Sequence, residues 1–447
     1  MRVRSSTARS LLVVFLLLFI AAPLTACRLG RLRNPREVVY WTTDTSDIGV
    51  RAEKAVVRAF EQANPDIHVR LVFIPGGTGN DTMLLTAVRG GTGPDVSRMD
   101  RFEISQMAAI GLLEDLKPLI EKHEPHLPDH YLPFAWQETL YKGDPYALPT
   151  NTDARALLYN KDMLRAAGVD PTVLDPVHGP PTFETIKRIA LKVNHLNTRG
   201  SFDRVGFIPW YDQGFPTTWA MAYGARFYNL AACAITPTEP AMQHSLQFTY
   251  DWTSIMNWNQ VSAFLETFQP DNAPPSQNAF FSGQMAMVAA GNWFLQNIQE
   301  YAPGLHYGVT YLPVPYASQA PYTWSGGFSL VMPKGAHNIE DTYRFMRFAA
   351  GPEGQRIFTR ETSNLPTWNE LLSDRSLFPS NNAFFAHLLK FSRSRPPLPV
   401  WSALWDELGT AQERVILHEA SPERALQAVY QQVQPQLQQY CPLTLTP

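Results

Sequence analysis

The chain has 447 residues, with 37 lysines and arginines against 40 aspartates and glutamates, and a formal net charge of −3. A chain of this length exceeds one typical hydrophobic core, so two domains are expected. The acidic balance argues against a nucleic-acid-binding protein, because such proteins carry basic surfaces.

The N-terminal segment has the features of a secretory signal peptide. A basic start with three arginines is followed by an apolar run over 11–22, which is too short to span ~30 Å of hydrocarbon. The tetrad LTAC then ends at Cys27 and resembles a bacterial lipobox, in which the cysteine is diacylated after cleavage. We therefore expect a signal peptide over 1–26, a lipid on Cys27, and a tether over 27–36. An uncut anchor, or an ordinary signal with a chance cysteine, is the alternative.

Cleavage after residue 26 would remove three arginines and no acid. The mature chain would then keep 34 of the 37 basic residues against all 40 acidic ones, a net charge of −6. The expected location is extracytoplasmic, at the cell membrane, held there by the lipidated Cys27.

The first part of the mature chain alternates strands and helices. Hydrophobic patterning predicts strands over 37–41, 67–74 and 95–99, and helices over 51–63 and 81–89. This order implies right-handed crossovers and a largely parallel sheet. Ligands of such sheets bind beyond the carboxyl ends of the strands, where the loop TTDTSD and the turn Asp100-Arg101-Phe102 lie.

The second part predicts another α/β lobe. A KGDP turn at 142–145 joins two extended segments, and a strand over 154–159 runs into a helix that Asn160 caps and Gly168 ends. Thr182 caps a further helix, and a strand is predicted over 204–210. The segment from about 205 to 405 is rich in aromatic residues.

The sequence lacks the common motifs of catalysis. GGTGND and GGTGPD lack the Lys-Ser/Thr of a phosphate loop, and no G-x-S-x-G, H-E-x-x-H or C-x-x-C is present. The 11 histidines are scattered, so no metal or other cofactor is expected. Cys233 and Cys441 are equally compatible with one disulfide and with two free thiols.

One stretch carries a specific resemblance. FFSGQMAMVAAGNW, residues 280–293, resembles the F-x-x-G-x-x-A-M-x-x-x-G-x-W signature of extracellular solute-binding proteins of ABC sugar importers, and is one residue shorter at its start. This family includes maltose-binding protein. AFEQANPDIHV, GTGPDVSRMD, YALPTNTDARALLYNKDML and GFSLVMPKGAHN match it in order and spacing.

The resemblance implies an α/β, two-lobed fold of the periplasmic-binding-protein type (type II), with a hinge-closing cleft. The N-terminal lobe would span 37–150 plus 325–362, and the C-terminal lobe 151–324 plus 363–447. The chain would be a monomer that captures a neutral mono- or oligosaccharide without catalysis. It would deliver the sugar to membrane permease subunits whose ATPase is a separate chain.

The resemblance also implies a set of substrate-binding residues. Carboxylates at the lobe boundary would accept sugar hydroxyls, Arg101 would donate to sugar oxygens, and aromatic rings would cover the apolar face of the sugar. The glycines beside Trp324 would let backbone amides approach the ligand. The full set is Thr43, Asp44, Asp100, Arg101, Asp153, Tyr211, Trp293, Trp324, Gly326 and Trp405.

Each of these residues has another interpretation. The aspartates are also suited to capping loops or helices, and the tryptophans to a buried core. Trp210 and Trp219 compete with Tyr211 for the same position. An alternative function is a surface glycoside hydrolase that uses Asp100 and Asp153 as acid and base, and another is a co-receptor that docks on a sensor.

Overall fold

The computed structural model describes residues 36–74, 82–270, 273–379 and 381–443. The predicted signal peptide, Cys27 and nearly all of the tether lie outside these residues. The described helices, numbered in chain order, are α1 Asp47–Ala63, α2 Thr82–Arg89, α3 Ile104–Ala109, α4 Lys117–His123, α5 Pro133–Gln137, α6 Lys161–Ala166, α7 Phe183–Val193, α8 Pro216–Ala222, α9 Pro240–Trp252, α10 Trp258–Phe268, α11 Phe294–Tyr301, α12 Ile339–Ala349, α13 Pro352–Thr362, α14 Asn381–Leu388, α15 Trp401–Ile416 and α16 Pro422–Gln438.

The described strands fall into two larger sheets and several short pairs. In chain order they are β1 Glu37–Thr42, β2 His68–Phe73, β3 Val96–Asp100, β4 Leu140–Tyr141, β5 Asp144–Pro145, β6 Ala147–Pro149, β7 Arg155–Asn160, β8 His195–Leu196, β9 Phe202–Arg204, β10 Tyr228–Asn229, β11 Ala234–Ile235, β12 Met287–Gly291, β13 Tyr307–Thr310, β14 Thr323–Trp324, β15 Phe328–Val331 and β16 Ser392–Arg393.

The N-terminal lobe is built on a five-stranded sheet in the order β2-β1-β3-β15-β6. β1 pairs in parallel with β2 and β3, and β15 pairs antiparallel with β3 and β6. Helix α1 covers this sheet with buried Ala52, Val56 and Phe60, which recur every four residues as an amphipathic helix requires. Ser46 begins this helix by accepting a hydrogen bond from the amide of Gly49 at 3.0 Å.

The C-terminal lobe is built on a smaller antiparallel sheet in the order β12-β7-β13. The central strand β7 is buried along its whole length, and β12 and β13 pair with its two edges. The strand β12 comes from the signature stretch, so the most specific motif of the sequence forms an edge of this sheet. The larger-sheet strands and these three strands fall in the segments predicted for their lobes, although the lobe boundaries themselves stay a prediction.

Three connections between the lobes meet at Thr152. Its backbone exchanges hydrogen bonds with Leu365 at 2.7 and 2.9 Å. Its hydroxyl donates to the carbonyl of Gly326 at 2.9 Å. The connection from β6 to β7 therefore contacts both the connection that leads into β15 and the one that follows α13. Hinges between lobes consist of a few loop or element-terminal residues, as these connections do.

Several sequence-based expectations can be compared with these elements. The expected strand over 204–210 is wrong, since β9 ends at Arg204 and residues 206–210 form turns and loop. Aromatic and β-branched residues there pack into the core without pairing as a strand. Cys233 and Cys441 form a disulfide that closes 208 residues and ties the C-terminal end of the chain to the β10–β11 hairpin. No helix in the described part of the chain is long and apolar enough to cross a membrane.

Candidate ligand-binding cleft

A cavity of ≈ 530 Å³ lies between the two lobes, beside the hinge. Sites for small ligands usually fall in the range of ~300–1,000 Å³. Seven of the ten residues predicted from the sequence line this cavity together: Thr43, Asp44, Asp100, Asp153, Trp293, Trp324 and Trp405. They come from the ends of β1 and β3, from the hinge, and from the starts of α11 and α15, so both lobes contribute to the wall.

Asp100 and Asp153 are both oriented by the protein through one carboxylate oxygen. Oδ1 of Asp100 accepts from Arg395 at 2.9 Å and from the amide of Phe102 at 3.3 Å. Oδ1 of Asp153 accepts from Arg155 and from the amide of Gly326. Neither Oδ2 accepts a hydrogen bond from any described residue. Each aspartate therefore has one oxygen held in place and one available to a ligand in the cavity.

Asp44 lies over the first turn of α1. Gly49 makes this position possible, because a Cβ at residue 49 would overlap the carboxylate. Behind Asp44, Arg98 pairs with it at 3.9 Å and with the buried Glu53 at 3.5 Å. Burial raises the pKa of Glu53 to about 7, although Arg98 opposes this shift. The N-terminal wall of the cavity thus rests on a buried ionisable cluster.

Three arginines line the cavity, and each lies against an aromatic ring. The guanidinium carbon of Arg98 is 3.5 Å from the ring centre of Phe328, and that of Arg155 is 3.4 Å from the ring centre of Trp324. The same atom of Arg395 is 4.5 Å from the ring centre of Phe102. Such contacts contribute about 2 kcal/mol each when they are desolvated. Each arginine is held between a ring and a carboxylate, so its position is rigid.

The aromatic residues of the cavity differ in how much surface they offer. Trp324 is 2% exposed and has Arg155 on its ring, whereas Trp293 is only half-buried. The ring of Trp293 folds back over Gly291, where any Cβ would overlap it. Trp405 packs against Phe102 and Phe215, with ring centres 6.1 and 4.6 Å apart. Trp293 and Trp405 are therefore the two predicted tryptophans that stay partly exposed, and the guanidinium carbon of Arg155 lies 5.3 Å from the ring centre of Trp293.

Arg101, Gly326 and Tyr211 do not line the cavity as the sequence predicted. Arg101 is fully buried and donates to Glu138 at 2.8 Å and to the backbone carbonyls of Asn151 and Gly326. The side chain of Arg101 thus donates to groups of the hinge instead of the expected sugar. Gly326 donates its amide hydrogen to Asp153 and accepts from Arg101, so it positions both side chains. The hydroxyl of Tyr211 bonds Gln269 at 2.5 Å, away from the cavity.

The structure also identifies residues that the sequence analysis missed. Arg98 lies two residues before Asp100, and Arg155 two residues after Asp153. This spacing places each pair on the same side of an extended segment. The alternation of the strand could therefore have identified Arg98 and Arg155 as neighbours of the two aspartates. Asn292 is fully buried and accepts from the amide of Ala154 while donating to Ser363. Arg395 belongs to the loop after β16, where no sequence pattern indicates its contact with Asp100.

The charges of the cavity wall are nearly balanced. Four aspartates and three arginines line it, and each of the three arginines is paired with a carboxylate. In the described part of the chain no cluster of three or more histidine, cysteine, aspartate or glutamate residues is suited to a metal ion. The wall therefore combines hydrogen-bond acceptors with flat apolar surface, without a strong net charge.

A cleft between two lobes that are joined by several hinge segments defines a ligand-binding protein of the periplasmic type. The sequence model of the family described as bacterial extracellular solute-binding protein matches residues 43–356. The chain belongs to this family, as the signature stretch predicted.

The chain is also similar to individual proteins along most of its length. It is 23% identical over 407 residues to a galactooligosaccharide-binding protein of Bacillus subtilis strain 168, covering 87% of each chain. The solved structure of CpMnBP1 with mannobiose bound has a TM-score of 0.77 at 19% identity, over 90% of this chain and 100% of that one. The GacH receptor of Streptomyces glaucescens GLA.O, solved unliganded and with acarbose, has a TM-score of 0.72 at 23% identity, over 89% and 97%. These structures confirm the predicted two-lobed fold.

Glu53 makes a pH-dependent contribution to stability that can be measured. The folded protein holds the Glu53 proton with a pKa of about 7 against 4.5 for the ordinary carboxyl, so this contribution is complete below pH 4.5 and is lost as the pH rises through 7. The loss is about 3 kcal/mol. We expect Glu53→Gln, which imitates the protonated form, to match the wild type at pH 4.5 and to be more stable at pH 8 in urea unfolding. A constant difference between the two proteins across this pH range would contradict the assignment.

Proposed function

We propose that the protein captures a neutral mono- or oligosaccharide in the cleft, without turnover, and delivers it to an ABC permease. The observation that carries this proposal is the pair formed by Asp100, at the end of β3, and Asp153, in the hinge, each with one oxygen bound by the protein and one available. Sugar hydroxyls are donors, and an ionised carboxylate accepts them in charge-assisted hydrogen bonds. Several relatives are named as binding proteins for galactooligosaccharide, arabinooligosaccharide and maltotriose, and these names support the same class of ligand.

The remaining wall supports a sugar over other small solutes. The partly exposed aromatic ring of Trp293 in the cavity wall suits the C–H face of a pyranose ring. Each arginine of the cavity is paired with a carboxylate, so none has an unpaired positive charge to offer an anionic ligand. The cavity also has one more aspartate than it has arginines. A phosphorylated or carboxylated ligand would therefore meet net repulsion, whereas a neutral sugar would not.

Calorimetric titration of the purified protein with neutral sugars tests this proposal. We expect one sugar class to bind one to one and to be recovered unchanged. Asp153→Asn should weaken binding about 10- to 100-fold, since a hydrogen bond to a charged group contributes about 1.5–3 kcal/mol. Trp293→Ala should weaken binding about tenfold, since it removes the aromatic surface that covers the sugar ring. Trp258→Ala is the matched control, because Trp258 lies 37% exposed on α10, outside the cavity. Binding of peptides or sugar phosphates alone would contradict the proposal.

The recovery of intact sugar also separates this function from glycoside hydrolysis. A glycosidase needs one carboxyl group kept protonated, commonly in apolar surroundings. Asp100 and Asp153 are instead each in contact with an arginine. Formation of a shorter sugar during the titration, lost in Asp153→Asn, would favour the enzyme.

We propose that binding closes the lobes over the sugar, and an ion pair at the rim supports this motion. Arg51 lies on α1 in the N-terminal lobe, and Glu300 lies on α11 in the C-terminal lobe. Their side chains form two contacts, at 2.6 and 3.5 Å. Helices α1 and α11 also supply Ile48 and Asn297 to the cavity wall. Separation of the lobes would break this pair, so it contributes only to the closed form.

A charge reversal tests the rim ion pair. Arg51→Glu should weaken sugar binding roughly fivefold, corresponding to about 1 kcal/mol for a partly exposed pair. The double variant Arg51→Glu/Glu300→Arg should recover the wild-type affinity, and 1 M NaCl should remove the difference because salt screens exposed charges. Failure of the double variant to recover affinity would show that the pair is not specific to closure.

We propose that delivery takes place outside the cytoplasm from a lipid anchor on Cys27. The disulfide between Cys233 and Cys441 supports an oxidising location. In a bacterial host supplied with labelled palmitate, the wild type should carry the label and sediment with membranes, and Cys27→Ser should lose both properties. The double variant Cys233→Ser/Cys441→Ser is the control that should keep the label. An unlabelled wild type would contradict the anchor.

A further inference from the structure

The arginines of the cavity wall differ in how many carboxylates they contact. Two of them each form ion pairs with two carboxylates, namely Asp44 and Glu53 for Arg98, and Asp100 and Glu138 for Arg395. Arg155 forms an ion pair with only one among the described residues, Asp153. Burial lowers the pKa of Arg155 to about 10, although Asp153 opposes this shift. A charge removed from water is stable only when its hydrogen bonds are satisfied, so the other donors of Arg155 need acceptors.

Gln213 connects Arg155 to a second carboxylate. The Nε atom of Arg155 donates to Oε1 of Gln213 at 3.1 Å, and Nε2 of Gln213 donates to Oδ1 of Asp212 at 3.0 Å. At its other end, Arg155 donates to Oδ1 of Asp153. Four side chains therefore form one chain of hydrogen bonds, which runs from Asp212 to the aspartate of the hinge.

This chain is satisfied by only one orientation of the Gln213 amide. A guanidinium offers only donors, and an ionised carboxylate offers only acceptors. With the amide reversed, its nitrogen would face Arg155 and its oxygen would face Asp212, so both hydrogen bonds would be lost. Each end of the amide is bound to a charged group, and such hydrogen bonds are about twice as strong as neutral ones.

The backbone places Asp212 and Gln213 for this contact. Asp212 has a φ of 52°, in the left-handed region that aspartate and asparagine adopt more readily than most residues. The amide of Gln213 donates to the carbonyl of Ala289 on β12 at 3.2 Å, and the carbonyl of Gln213 accepts from the hydroxyl of Thr218 at 2.7 Å. Unusual backbone conformations that the surrounding structure maintains are frequent at functional sites. Here the conformation brings a carboxylate next to the glutamine of the cavity wall.

We propose that Asp212 is a positioning residue for ligand binding, which holds Arg155 through Gln213 and so keeps Asp153 in the orientation that a sugar hydroxyl requires. This inference rests on the proposed sugar-binding function. Gln213 and Arg155 line the cavity and Asp212 does not, so the effect of Asp212 on the ligand is indirect.

The effect of Asp212 depends on its ionisation. Desolvation raises the pKa of Asp212 to about 6, although the hydrogen bond from Gln213 and the charge of Arg155 oppose this shift. The hydroxyl of Tyr211 also interacts with Asp212; burial and then Asp212 raise the pKa of this hydroxyl, so it stays neutral between pH 5 and 8. A protonated Asp212 offers Gln213 only a neutral hydrogen bond. The chain of hydrogen bonds therefore weakens as the pH falls below about 6.

The test compares sugar affinity at pH 8 and pH 5 by calorimetric titration of the purified protein with maltotriose, mannobiose, galactobiose and arabinobiose. Asp212→Asn imitates the protonated form and keeps a residue that tolerates the left-handed backbone. For the sugar that binds, this variant should be about three- to tenfold weaker than the wild type at pH 8, and should match it within twofold at pH 5. The ratio of the two affinities isolates Asp212, because Glu53 titrates in both proteins.

Asp251→Asn is the matched control. Asp251 also accepts from a glutamine, Gln247, at 2.7 Å, but it lies exposed on α9 and outside the cavity. This variant should match the wild type at both pH values.

Two further measurements show whether Asp212 acts through Gln213. At pH 8, Asp212→Asn should cause no further loss of affinity in a protein that already carries Gln213→Leu, because the chain is already broken there. In the ligand-free protein, the NMR signal of the Arg155 Nε–H group should shift with a midpoint near pH 6. This shift should be absent in Asp212→Asn and in Gln213→Leu.

The outcomes separate this inference from the proposed function. An equal loss of affinity at both pH values in Asp212→Asn, no loss at pH 8, or additive losses with Gln213→Leu would overturn the positioning role and leave sugar binding in place. An Arg155 signal that does not shift near pH 6 would overturn it whatever the protein binds. The absence of binding by every sugar, with an Arg155 signal that titrates as expected, would instead overturn the proposed function.

Discussion

A buried carboxylate between two buried arginines connects the parts of this protein. Glu138 accepts from the side chain of Arg101 at 2.8 Å and from the backbone amide of Arg395 at 3.2 Å. Burial raises the pKa of Glu138, even though both arginines oppose that shift. Charges removed from water in this way are stable only when their hydrogen bonds are satisfied. Here the donors and acceptors come from β3, from the hinge and from the loop after β16, so the network requires these segments to stay together.

The same pairing of arginine and carboxylate extends from the hinge to the cavity wall. Arg395 and Arg155 hold one oxygen of Asp100 and of Asp153, and aromatic rings hold the arginines. The acceptor atoms are thus positioned before any ligand arrives, which reduces the ordering cost of binding.

The sequence predicted the architecture well and the details of the cleft only in part. Strands and helices of the first lobe were recognisable because buried residues recur with periods of two and nearly four. The signature at 280–293 indicated the family, and seven predicted residues share one cavity. Arg101 was assigned to the ligand because the stretch MDRF, residues 99–102, resembles a ligand-binding segment of the family. The strand β3 ends at Asp100, and Arg101 begins a short 3-10 helix that directs its side chain into the hinge. Arg395 is 295 residues from Asp100 along the chain, and no local pattern reports such a distant contact.

Gly291 and Trp293 show that two positions of the signature form one unit. The indole lies directly above the glycine, and the buried Asn292 between them bonds two hinge segments. A larger residue at 291 would push the ring towards the space that a ligand needs, and a smaller ring at 293 would leave the glycine uncovered at the end of β12. The spacing G-x-W therefore fixes the position of the flat Trp293 ring relative to the hinge. In protein engineering, the three residues are best transferred or redesigned as a block.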